Sequence, residues 1–431
     1  MARNRVSMLP LCAAACVSLG LLFAAGCKRK PRRTPLALVV VKHDDSTAPW
    51  FQRCEQEFEL ANPNADLEVS IVEPDALREA LGPSGSPGAL RPDIAIVNDA
   101  ALAECATRGE ALDVAQYYPQ YAADFLDLPI RMATYQGKSY GLPVGLSIYG
   151  LYCNEKLLQA AGKSPPRTWD DLLACAKAMT RPPQGVYGFA APTAPGEAAP
   201  VWYAFAVSAG GEVIAPDGKW VGSSPGSGAA LTFLTGIVRK QGVMDPSDVG
   251  VTGAALETRF ADGKIAMLIG STGTREQLGR ALEPMKYQVV PIPGKKQPVS
   301  LATAETFVVM KSTKHPDVAA RFAAFFFDDG RQLDWAKTFS VIPTKKSVAE
   351  PPEPAPSAAP VEPLFEKQPL REDPSWKMQF DLLPSARFVP LFSGRADVDA
   401  KVDAALVEVY AGTKSPQQAL SELQTSLGAL R

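Results

Sequence analysis

Residues 140–158 read YGLPVGLSIYGLYCNEKLL. The run is small and apolar, long enough for a buried strand, and it ends in a charged helix start. Gly141, Gly145 and Gly150 weaken it as a core strand, because glycine loses much backbone entropy on ordering and packs nothing. A segment that is nearly a strand, but bendable, thus lies inside a 431-residue chain, a length that suggests two or more domains.

The flanking sequence alternates strand and helix signals. LALVVVK (36–42) is a short, Val-rich apolar run, as in a buried strand. Trp50, Phe51, Cys54 and Phe58 then recur at helical spacing, stopped by Asn62-Pro63. ADLEVSIVEP and RPDIAIVND read as further strands, with ALREAL and AALAECATRGEALDV as helices between and after them. Strands alternating with helices predict α/β layers with a mainly parallel sheet. After the opening stretch, Thr168 is placed to cap a helix whose first turn carries Asp170 and Asp171. Further strands are expected at KIAMLIG, KYQVV and ETFVVMKS, and two helices close the chain around a turn at Gly412–Ser415. AEPPEPAPSAAPVEP (349–363) has almost nothing to bury and reads as an extended excursion.

Apolar residues make up 46% and charged residues 21%, ordinary for a globular protein. Net charge is −2. The first 26 residues carry only Arg3 and Arg5, so the remainder has 42 basic against 46 acidic residues, or −4. That balance excludes a nucleic-acid footprint. The basic MARNR, the apolar stretch behind it and the small residues before Cys27 read as a secretory signal over 1–26. This start resembles a bacterial lipoprotein signal, which makes Cys27 the lipidation site and 27–35 a basic tether, although Ala24 stands where leucine is usual. An uncut membrane anchor is the alternative. Both place the rest of the chain outside the cytoplasm. Cys54, Cys105, Cys153 and Cys175 then remain, either paired in one of three ways or buried as free thiols.

Catalytic and metal motifs are absent from the sequence. No His/Cys/Asp spacing suits a metal, and no phosphate loop or dinucleotide fingerprint occurs. GSSPG (222–226) fits the serine-hydrolase elbow pattern, but Pro225 has no N–H to offer an oxyanion, so a turn is expected. Polar and aromatic residues instead gather at predicted strand ends: Asp45 and Trp50 after the first strand, Asn98 and Asp99 after the third, and Ser147 in the opening stretch. Trp202 and Tyr203 precede a Gly-Gly pair, Ser271 and Thr272 follow KIAMLIG, and Glu305 precedes TFVVM. Open α/β sheets bind ligands at the carboxyl ends of their strands. Carboxylates, amides and flat aromatic faces suit sugars, although Trp50 and Trp202 are equally compatible with core packing.

The stretch from Tyr140 through YGLPVGLSIYGLYCNEKLLQAAGKSPPRTWDDLLACAKAM resembles extracellular solute-binding proteins of family 1, the sugar-binding class of ABC importers that includes maltose-binding proteins. RFADGKIAMLIGS, HPDVAARFAAFFFDDGRQLDWAKTFSVIPTKKS and YAGTKSPQQAL are similar to later segments of that family, in its order, across Leu36–Leu430. The resemblance implies a two-lobed periplasmic-binding-protein fold, each lobe a mainly parallel sheet flanked by helices. Lobe 1 would hold 36–144 and 294–328, lobe 2 145–293 and 329–431, with the Pro-rich excursion spanning 349–375. Three segments would cross between lobes: the opening stretch, with Gly145 and Gly150 as hinges, then VVPIPG, then DDGRQ. It implies ligand contacts from Asp45, Trp50, Asn98, Asp99, Ser147, Trp202, Tyr203, Ser271, Thr272 and Glu305. It also implies a monomeric binding protein, not an enzyme, without cofactor or metal, held to the membrane through its N-terminal lipid and facing the periplasm or cell exterior. Its partners would be a small solute, a sugar first, and the transmembrane subunits of a permease. With several carboxylates and no arginine expected nearby, a polyamine is the rival ligand. A ligand sensor without transport and an exported hydrolase are the alternative functions.

Overall fold

The segment Leu142–Asn154 forms one thirteen-residue strand, β6, in the computed structural model, which describes residues 33–82, 86–114, 123–215, 219–279, 286–350 and 370–428. The expected signal 1–26, Cys27, most of the tether and most of the Pro-rich excursion lie outside the described residues. The first part of β6 pairs antiparallel with β9 (Ser300–Val309), and its end pairs antiparallel with β7 (Met267–Gly270) and β8 (Tyr287–Val290). β9 lies antiparallel to β3 (Ile94–Asn98). Beside β3 runs β1 (Thr34–Val41), and β2 (Ala65–Val72) completes a parallel ladder. The path β2-β1-β3-β9-β6-β7 is continuous, with β10 (Ala386–Arg387) on β9 and β8 on β6. The pair β4 (Thr134–Tyr135) and β5 (Lys138–Ser139) stands apart as a hairpin.

The period of two along each strand sends side chains to two different cores. In β1, Leu36, Leu38 and Val40 meet Phe51, Phe58, Phe322 and Trp335 on one face of the sheet, and Val39 and Val41 meet Val97, Leu102 and Cys105 on the other. In the second lobe, Leu151, Cys153 and Ile269 pack under the helices Trp169–Met179, Ala198–Ser208, Pro225–Thr235 and Arg395–Ala411. Tyr152 and Leu268 face Phe260, Trp376 and Phe380. Each lobe is thus a sheet covered on both faces, the architecture expected from the sequence.

The helix cap expected at Thr168 forms. Thr168 and Asp171 make a reciprocal capping box. Ser224 of GSSPG caps a helix with Pro225 in its first turn, so this serine accepts the Ser227 N–H and takes no part in an elbow. The four cysteines among the described residues are free and buried. Cys54 and Cys105 lie on opposite faces of the first sheet and cannot meet.

The crossings differ from expectation in two of three places. β6 is the first. The second is β9, which reaches from Leu301 in the second lobe's core to Val309 in the first lobe's. VVPIPG stays in the second lobe, where Ile292 bridges Val299 and Gly294 bridges Thr168. The third follows Phe339 rather than the DDGRQ segment. Trp335, Phe339 and Val341 pack in the first lobe's core, so packing does not change at residue 329, and Ile342 then pairs with Leu146. An apolar helix face stays with the core it fits, whichever side of a motif it falls on. Gly145 adjoins an irregularity in the β6–β9 register, and a Cβ there would lie 2.5 Å from Val341 Cγ2. At Gly150 a Cβ would crowd Leu382, Val289 and the Val290 carbonyl. Close approach explains both glycines, and neither has positive φ.

Candidate functional site

Where the strand ends of the two lobes face each other lies a cleft of about 630 Å³. Its floor is β6 and β9, through Gly145, Ser147, Tyr149, Thr303, Ala304 and Glu305. The first lobe contributes His43, Asp44, Asn98 and Asp99, and the second Glu197, Glu257, Ser271 and Thr272. Arg395 and Asp399, from the first turn and a half of the helix Arg395–Ala411, close one side.

Six of the ten expected contact residues meet here: Asn98, Asp99, Ser147, Ser271, Thr272 and Glu305. Asn98 ends β3 and caps the helix Asp99–Thr107, its Oδ1 accepting the Ala101 N–H at 3.0 Å. The same turn aims Asp99 into the cleft. Ser147 and Thr272 share a hydroxyl contact of 3.2 Å between the crossing strand and the second lobe. Glu305 lies 3.0 Å from His43 Nε2, and the imidazole stacks on Phe339 with centroids 4.5 Å apart. Burial pushes the His43 pKa down, but the Glu305 carboxylate outweighs it and the net direction is up.

The other four do not line the cleft. Asp45 is exposed on the loop, and its neighbour Asp44 takes the lining position. Trp50 is 2% exposed, packed against Phe51, Phe326 and Trp335, with Nε1 donating to Asp334 at 2.8 Å. Trp202 is 0% exposed and donates from Nε1 to the Ser227 carbonyl. Both indoles are core, because a ring of that area stabilises most where it is wholly covered. Tyr203 is also buried, and its hydroxyl donates to Asp399 Oδ1 at 2.8 Å. It lines an adjoining cavity of about 750 Å³ that meets the cleft at Pro200, Thr303, Arg395 and Asp399.

Among the lining residues that sequence reasoning missed are Asp44, Glu197, Glu257, Phe339, Arg395 and Asp399. The Arg395/Asp399 pair at helical spacing looks like a solvated face. In the fold Arg395 is buried, its Nε donating to Asp399 Oδ2 at 2.7 Å. The expectation of no nearby arginine therefore fails. Irregular sequence around Glu197 and an ordinary helix around Glu257 carry no motif. Their one available clue was charge next to apolar residues.

Electrostatically the cleft is acidic. Burial lifts the Asp99 carboxyl to about 7, against the opposing pull of Arg395 and the Ala304 N–H. Burial also raises Glu197 and Glu257, partly offset by hydrogen bonds from the Gly253 N–H at 2.6 Å and the Thr274 hydroxyl at 2.6 Å. Tyr149 is pushed up to about 12 by burial, with both glutamates adding, so its hydroxyl is neutral at physiological pH. Among the described residues no group of His, Cys, Asp and Glu is arranged to hold a metal ion, and no helix is long and apolar enough to cross a membrane.

Comparison with known proteins agrees with this geometry. Residues 55–361 match the family described as bacterial extracellular solute-binding protein. A relative from Brucella abortus, described as a binding protein, is 24% identical over 401 residues, 91% of this chain and 92% of its own. The fold is similar to that of the ABC substrate-binding protein Lmo0181 of Listeria monocytogenes in complex with cycloalternan. The TM-score is 0.74 at 21% identity, covering 92% of this chain and 98% of that one. It is also similar to maltose-bound MalE3 of T. maritima, with a TM-score of 0.76 at 18% identity, covering 92% and 100%. These two likenesses concern the fold, and both structures are binding proteins rather than enzymes.

Proposed function

The chain belongs to the bacterial extracellular solute-binding proteins, and from that premise we propose that it captures a small carbohydrate in the cleft between its lobes and delivers it to the transmembrane subunits of an ABC importer. The observation that carries this reading is the lining itself. Hydroxyls, an amide and carboxylates converge from both lobes and both crossing strands, with the partly exposed Tyr149 among them. Such groups match the alternating donors and acceptors of a sugar. The sugars held by the Listeria and T. maritima proteins support the same ligand class.

Capture proceeds by closure of the lobes, with β6 turning near Gly145, where its register with β9 is irregular. Cys27 carries the lipid that holds the exported chain at the membrane, at about 0.8 kcal/mol per buried CH₂. No bond of the solute is broken.

Calorimetry against mono- and oligosaccharides, with X-ray scattering on the same mixtures, tests the reading. We expect saturating sugar to reduce the radius of gyration. Unchanged scattering at saturation rules out closure, and absence of binding by every sugar rules out the ligand class. For the anchor, Cys27→Ser is expected to release the protein from membranes or block its processing.

A further inference from the structure

Both cations that line the cleft are already engaged. Arg395 gives Nε to Asp399 and Nη1 to the carbonyls of Val389 and Pro390 at 3.1 and 3.4 Å. His43 faces Glu305. Among the described residues, Asp99, Glu197 and Glu257 line the same space with no Lys, Arg or His in ion-pair contact, and Arg395, committed to Asp399, pulls on Asp99 only from beyond that range. Asp99 is only 8% exposed. Its Oδ2 receives the Ala304 N–H at 3.3 Å, and its Oδ1 has no hydrogen-bond partner among the described residues. Glu197 and Glu257 receive one neutral donor each, from Gly253 and Thr274.

A buried carboxylate without a counter-charge is an unfavourable anion, and neutral donors compensate it only in part. We propose that the solute carries a positive charge together with its hydroxyls, as an amino sugar or amino-oligosaccharide does, and that its ammonium is received by the Glu197–Glu257 pair, with Asp99 on the facing lobe. This rests on the carbohydrate reading above and narrows it. An ammonium presents three donors and a full charge, so it relieves the repulsion between Glu197 and Glu257, and a second amine of an amino-oligosaccharide meets the open Asp99 Oδ1. Burial has raised all three carboxyls, and a bound cation draws them back toward ionisation, which strengthens its own attraction. A neutral sugar satisfies lone pairs but leaves the charge uncompensated, and an anionic sugar is repelled. A linear polyamine supplies charge but, fully protonated, has no acceptor for the Asn98 amide or for the Ser271 and Thr303 hydroxyls.

The test is calorimetric titration of the purified chain with matched pairs: glucosamine and glucose, galactosamine and galactose, the glucosamine disaccharide and cellobiose, with spermidine alongside. At least one amine-bearing sugar is expected to bind about 10- to 100-fold more tightly than its neutral partner, the range for hydrogen bonds to charged groups. Glu257→Gln should remove most of that preference while leaving the free protein folded, with a melting temperature no lower than before, since a buried charge is relieved. Glu197→Gln is the second variant, should the first perturb folding. A neutral member bound as tightly as its amine partner overturns the inference and leaves the carbohydrate reading standing. Binding of spermidine and no sugar overturns both. Failure of every amino sugar to bind overturns the inference whatever else binds.

Discussion

The helix Ala198–Ser208 has two sides with opposite chemistry. Behind it, Trp202, Trp220, Phe205 and Trp169 form the second lobe's core, with Trp169 stacked on Phe233 at 4.6 Å. In front of it, Glu197, one residue before the helix begins, joins Glu257 and Tyr149 at the cleft. The difference teaches where this lobe places its largest rings. They stabilise the scaffold, and the cleft is lined by carboxylates, hydroxyls and the partly exposed Tyr149. Core aromatics contribute through covered area. Cleft carboxylates are held in a half-buried, poorly compensated state that a ligand can improve. In the first, truncation should reach stability alone, and in the second, charge and pH should matter.

The largest effect is expected at the core. Trp202→Ala should lower unfolding free energy by about 3–5 kcal/mol, the range for a buried aromatic, measured by denaturant titration. Loss of sugar binding with an unchanged melt would break the comparison by moving Trp202 to the cleft side. Next comes Asp99. Its carboxyl ionises near 3.9 in an unfolded chain and only near 7 in the fold. Between those values the folded state holds the extra proton, so stability falls as pH rises from about 4 to about 7. Asp99→Asn abolishes that slope and should stabilise the free protein by about 1–3 kcal/mol at pH 8, with little change at pH 4. Parallel melts at the two pH values check this, and equal shifts at both would show that burial does not strain the carboxylate.

Smaller effects sharpen the boundary between the two regions. Ser147→Ala leaves the buried Thr272 hydroxyl without its 3.2 Å partner and should cost about 1 kcal/mol, read by denaturant titration. The smallest concerns His43. Its raised pKa means the pair with Glu305 contributes stability below about pH 6.5, lost as pH rises through the folded value. Glu305→Gln should bring the imidazole titration down in an NMR pH series and remove about 0.5–1 kcal/mol at pH 5.5. An unmoved titration would mean that Glu305 does not set the charge of His43.

Much of the fold was legible in the sequence because its signals are local. Short runs rich in β-branched residues became β1 and β3, Thr168 capped the helix it precedes, and the glycine-broken stretch at 140–158 became the crossing strand. The cleft was partly legible for the same reason, since Asn98, Asp99, Ser271 and Thr272 sit directly after strands whose ends had to converge. Trp50 and Trp202 were ambiguous because an indole at helical spacing looks the same whether a core or a ligand covers it. The second and third crossings were misplaced because a motif does not reveal which core an apolar helix will join, as Trp335 and Phe339 show.

By itself, then, the sequence determined the alternation of strand and helix and the capped start of the helix at Thr168, which depend on neighbours a few residues apart. Only the tertiary structure decided the chemistry of the cleft. Glu197 and Glu257 lie 60 positions apart, and Asp99 and Arg395 almost 300. Their burial, and with it the rise of the three carboxyls, exists only when two lobes and two crossing strands remove water from around them, because the energy of a charge is set by its surroundings and not by its place in the chain.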